Sequence, residues 1–68
     1  MNITCADETT VSTVTAVLLK YTGTQVHRQG PNFGNPMISV MVDVAIGDDK
    51  ERAMRREVAQ IAGATIRN

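Results

Sequence analysis

The sequence predicts an α+β domain in which a four-stranded antiparallel sheet carries two helices on one face, in the order strand, helix, strand, strand, helix, strand. Three observations lead to it. Residues 37–46, MISVMVDVAI, place Ile38, Val40, Val42, Val44 and Ile46 on one side of an extended chain and Met37, Ser39, Met41, Asp43 and Ala45 on the other. Asp7 and Gly23 bracket a stretch in which Val11, Val14, Val17, Leu18 and Tyr21 recur at helical spacing. Asp48 and Gly63 bracket a second such stretch, with Met54, Val58, Ile61 and Ala62 as its apolar stripe.

In chain order, residues 2–6 alternate, with Ile3 and Cys5 on one face and Asn2 and Thr4 on the other, as in a short strand. Asp7 stands at an N-cap position and Glu8 beside the positive helix end. The following helix is rich in β-branched Thr and Val, which lose rotamer freedom there, but strict alternation fails at residues 16–19 and the helical stripe prevails. Gly23 supplies a left-handed terminus. Residues 24–29 form an edge strand, with Thr24, Val26 and Arg28 on one side and Gln25, His27 and Gln29 on the other; Val26 is its one strong core residue.

Residues 30–36, GPNFGNP, are turn chemistry throughout and hold Phe33, the only phenylalanine, at the tip. After the central strand, Asp48 with Glu51 three residues on forms an acidic analogue of a capping box, and Asp48 with Arg52 and Glu51 with Arg55 are spaced as i, i+4 pairs. Gly63 closes that helix, and residues 65–67 make a last strand with Ile66 inward.

This order is the ferredoxin-like plan, two split βαβ halves with spatial strand order 4-1-3-2. It puts residues 37–46 in a central position, as their apolar face demands. The order of elements is similar to that of heavy-metal-associated domains, acylphosphatase-like proteins and ACT-type modules. The first would need a CxxC and the second an arginine where Ala6 to Glu8 is acidic; the third would need a glycine near the end of the first strand. None of these is present, so the shared plan transfers no function.

A chain of 68 residues has room for one domain, spanning residues 1–68. So small a core leaves a margin of roughly 3 to 5 kcal/mol. Cys5 is the single cysteine, so neither a disulfide nor a closed zinc site is expected, and self-association is the remaining support. Seven basic and seven acidic side chains cancel, which speaks against a general affinity for nucleic acid or anionic membrane. The N-terminal residues lack a positive segment followed by an apolar run, and no apolar stretch is long enough to cross a bilayer; a cytoplasmic location is expected.

The candidate sites follow from these placements. His27, the only histidine, shares the uncovered sheet face with Asp43, a pairing that could orient an imidazole for proton transfer, but no nucleophile is convincingly placed beside them. Cys5 precedes a helix start, yet on an inward face it reads as a small buried hydrophobe. Arg52, Arg55 and Arg56 line one face of the second helix and could grip phosphates, although Asp48, Asp49, Glu51 and Glu57 neutralise the same helix. The open sheet has no aromatic platform for RNA bases. Phe33 either anchors a protein partner or folds back over the core edge. Met37 and Met41 are adaptable contact residues on the open face.

The leading expectation is therefore a small non-enzymatic interaction or regulatory protein, without cofactor or metal. It would be homodimeric through its sheet and would contact another protein through Phe33, Met37, Met41, His27 and Asp43. Chains of this size include accessory proteins of phages and mobile elements, a consideration of size alone. The alternative is nucleic-acid binding through Arg52, Arg55 and Arg56, and a third reading is a minimal enzyme using His27 and Asp43.

Overall fold

The computed structural model describes residues 1–23 and 25–67. Its elements are β1 (Asn2–Cys5), α1 (Glu8–Thr22), β2 (His27–Gln29), β3 (Ile38–Met41), α2 (Asp48–Ala59) and β4 (Ala64–Arg67). All neighbouring strands are antiparallel, in the order β2-β3-β1-β4. This is the α+β ferredoxin-like sandwich the sequence predicts.

Strand register assigns each face. Cross-strand partners share a side of the sheet, so Arg28, Val40, Ile3 and Ile66 form one row toward the helices, and Ile38, Cys5 and Ala64 form another. Ile3, Cys5, Ile38 and Val40 are buried against Val11, Val14 and Leu18 of α1 and Met54 and Val58 of α2. Each such side chain taken out of water contributes about 1.5 to 3 kcal/mol before entropy is counted. The opposite face carries two rows, His27, Met41, Asn2 and Arg67, then Gln29, Ser39, Thr4 and Thr65.

The first helix forms as expected. The Asp7 carboxylate accepts from the Thr10 amide at 2.8 Å, and Gly23, in the left-handed conformation, donates its N–H to the Leu19 carbonyl at 3.0 Å. Thr10, outside the predicted stripe, is buried as well. Its hydroxyl donates to Asp7 at 2.8 Å, so the capping residue also satisfies a polar group under the sheet's edge.

Several boundaries differ from the expectation, each for a pairing reason. The central strand ends at Met41 rather than Ile46, where its pairing with Asn2 of β1 and His27 of β2 stops; Met1 and Val42 exchange two further backbone bonds. Val44 and Ile46 leave the ladder yet stay half-buried against the core. The edge strand covers only His27–Gln29, opposite Ser39 to Met41; Gln25 and Val26 precede it, and Thr24 lies outside the described residues. The last strand starts at Ala64, and Ala6 falls outside the first.

The second helix corrects the expected capping box. Its N-cap is Gly47, with no side-chain cap bond, and the Glu51 amide donates to the Gly47 carbonyl at 2.9 Å. Asp48, Asp49 and Glu51 occupy the first turn, where their charge complements the helix dipole. Arg52 pairs with Asp49 at 3.6 Å instead of Asp48, while Glu51 and Arg55 do meet, at 3.8 Å. The helix stops at Ala59, Ala62 is exposed, and Gly63 belongs to the turn into β4. An exposed Lys20 to Glu57 ion pair at 3.0 Å links the two helices.

Candidate functional site

The loop between β2 and β3 is ordered by its own backbone. Asn32 and Asn35 exchange two hydrogen bonds, at 3.0 and 2.9 Å, closing a turn whose central residues are Phe33 and Gly34. Gly34 has φ 79°, and a turn with positive φ only at its third position accepts glycine there without strain. The Asn35 side chain accepts from the Met37 amide at 3.1 Å, and Pro31 and Pro36 withhold donors that would otherwise need partners. The base is tied to the fold through Arg28. Its guanidinium clamps both carboxylate oxygens of Glu8 on α1 and reaches the Gly30 carbonyl at 3.4 Å.

Phe33 is fully exposed, with a relative accessibility of 108%, and Met37 at the loop base is 43% exposed. Of the two placements open to Phe33, folding back over the core edge is therefore not the one adopted. From residue 29 to residue 42 the chain carries no charged side chain, so this aromatic stands on a neutral protrusion.

The second feature lies at the other end of β3. A hollow of about 270 Å³ is lined by Met1, Asn2, His27, Met41, Val42 and Asp43. Met41 is the cross-strand partner of both Asn2 and His27, so the three stand side by side on the uncovered face, with Asp43 just past the strand end. The Asn2 Oδ1 atom is buried without a hydrogen-bond partner. An unsatisfied buried acceptor costs about 1 to 3 kcal/mol. His27 and Asp43 are exposed, and no hydrogen bond or ion pair joins them.

The residues predicted as one partner surface thus fall into two groups. His27, Met41 and Asp43 meet at the hollow, whereas Phe33 and Met37 belong to the loop at the opposite end of β3, about 13 Å away at strand spacing. Asn2 was missed by sequence reading. Its signal was parity, since it alternates out of phase with the buried Ile3 and Cys5.

The remaining candidates are less assembled. Arg52 and Arg55 each face a carboxylate of their own helix, and Arg56 is exposed beside them. The Cys5 thiol has no exposure, and burial, with a smaller contribution from the Asp7 charge, pushes its pKa above the ordinary thiol value. Both effects disfavour the nucleophilic thiolate. Among the described residues no group of three or more His, Cys, Asp or Glu side chains could hold a metal ion, and no helix is long and apolar enough to cross a membrane. Comparison with protein-family models, with curated proteins and with solved structures finds no match.

Proposed function

We propose that this chain is a small non-enzymatic interaction module that docks on a protein partner by inserting Phe33. One observation carries the reading: a wholly exposed phenylalanine held at the tip of a turn closed by reciprocal Asn32 and Asn35 hydrogen bonds. A phenylalanine offers 150 to 250 Å² of surface, roughly, and its burial in a partner's pocket would favour association. Because the turn is already ordered, little conformational entropy is lost on docking. The neutrality of residues 29–42 favours an apolar, uncharged cleft and a complex largely insensitive to salt. Such a module acts by occupying its partner's surface, which supports a regulatory role.

Pairing of two copies through the sheet belongs to the same proposal. Half-buried Met41, with Asn2, Ser39 and His27 about it, offers an adaptable apolar contact inside a polar rim.

The test uses the tagged chain and its Phe33→Ala variant as baits in extract from the native host, with light scattering on each and on Met41→Glu. Loss of specific capture in Phe33→Ala and a halved mass in Met41→Glu, with unaltered circular dichroism, are the expected results. Equal capture by both baits, or a monomeric mass for the parent chain, would remove the corresponding half of the proposal.

A further inference from the structure

The two outer edges of the sheet are built differently. The Ala6 amide donates to the Gly63 carbonyl at 3.0 Å, and bonded pairs recur at every second position of an antiparallel ladder, so Thr4 with Thr65 and Asn2 with Arg67 are the bonded pairs of β1 and β4. Ala64 and Ile66 therefore direct their backbone N–H and C=O groups away from β1. The Ala64 amide is taken by the Ile61 carbonyl at 3.2 Å, whereas both groups of Ile66 stay open, and among the described residues no strand lies beyond β4. On the opposite edge, the two bonds between Met1 and Val42 set the same alternation through β3 and leave Arg28 as the outward residue of β2.

The β2 edge is guarded and the β4 edge is not. Arg28 turns its charge to the helix side and clamps Glu8, its guanidinium reaches the Gly30 carbonyl at 3.4 Å, and Pro31 has no amide to donate. Inward charges and prolines of this kind keep sheets from joining edge to edge. The inward residues of β4 are Ala64 and Ile66, both half-buried and apolar.

We infer that the β4 edge pairs antiparallel with β4 of a second copy, with Ile66 on the two-fold axis. A two-fold contact needs a surface that complements itself. Ile66, with one open donor and one open acceptor, exchanges two backbone bonds with the partner subunit's Ile66, and the two side chains meet on the helix side. A ladder centred on Ala64 would lack its donor, since that amide already serves Ile61. With Ile66 on the axis, Thr65 stands opposite the partner subunit's Arg67 on the uncovered side, so the two arginines do not face each other. The contact is only a few residues long, so the pairing is weak and depends on concentration. It uses neither the Phe33 turn nor the Met41 face.

The experiment follows amide exchange with solvent in the ¹⁵N-labelled chain across a concentration series, with sedimentation equilibrium on the same samples. Both the parent chain and Met41→Glu are used, the latter to remove pairing through the face. The expected result in both is an Ile66 amide that exchanges fast when dilute and slows in step with the dimer fraction, while the Arg28 amide stays fast throughout. Thr65→Lys sets like charges opposite each other twice and should raise the dimer dissociation constant about fivefold, whereas Thr65→Glu should lower it by about the same factor. Thr65 is exposed, and unmoved amides away from β4 will show that these variants keep the fold. An Ile66 amide whose exchange ignores concentration, protection at Arg28 in its place, or the same response to Thr65→Lys and Thr65→Glu would overturn the inference. So would loss of Ile66 protection in a natively folded Met41→Glu chain, which would assign the pairing to the face alone.

Discussion

Thr10 and Gly63 meet where the first helix starts and the last strand begins, so closely that a Cβ on residue 63 would stand 2.9 Å from Thr10 Oγ1 and 3.3 Å from the Ala6 Cβ. Gly63 also has φ 86°, a conformation that L side chains rarely adopt. Thr10 Oγ1 cannot yield easily, since it donates to Asp7 at 2.8 Å and lies 3.4 Å from the Ala62 carbonyl oxygen. Gly63→Ala should therefore destabilise the domain by about 1 to 3 kcal/mol. Urea denaturation measures this directly, and an unchanged midpoint would show that the turn relaxes freely.

Acid should weaken the fold through three carboxylates whose pKa values lie below their ordinary ones. Asp7 is lowered first by the Thr10 amide bond, Glu8 first by the Arg28 hydrogen bonds, and Glu57 first by its bond from Lys20. In each case the folded chain holds its proton less tightly than the unfolded chain. The stabilisation is thus complete above the ordinary carboxylate range, about 4 to 4.5, and is lost as pH falls through the lowered values. Melting temperature should drop between neutral pH and about pH 3. Asp7→Asn should shrink that drop while retaining a capping side chain, whereas Asp7→Ala should lower the melting temperature at both pH values.

Met54 reaches the sheet from α2 and has no exposed surface. Truncation to Ala removes contacts and leaves a cavity, at a cost of about 2 to 5 kcal/mol. Against a margin of roughly 3 to 5 kcal/mol for a chain this small, Met54→Ala should be largely unfolded at room temperature by circular dichroism. A cooperative melt close to that of the parent would contradict this account of the core.

The loop should separate stability from recognition. Phe33 touches nothing that folding needs, so Phe33→Ala should stay within about 0.5 kcal/mol of the parent while losing partner capture. Gly30→Ala should behave differently, because its Cβ would lie 2.8 Å from the Met37 carbonyl oxygen at φ 91°. It should disturb the loop base and lower the melting temperature. Thermal melts of the two variants, run side by side, decide the matter.

Period and punctuation in the chain were enough to determine the element order, the inward faces and the first helix with its Asp7 and Gly23 ends, because these depend on neighbours a few residues away. Tertiary structure decided what depends on distant partners. Residues 43–46 read as strand, yet a ladder extends only as far as the strand beside it, and β1 is four residues long. Asp48 reads as a cap, but the local backbone gave that place to Gly47. Phe33 had two equally open positions until the Asn32 and Asn35 bridge turned it outward. The hollow joins residues 1 and 2 to residues 27 and 41–43 through strand register alone, a relationship that no local pattern contains.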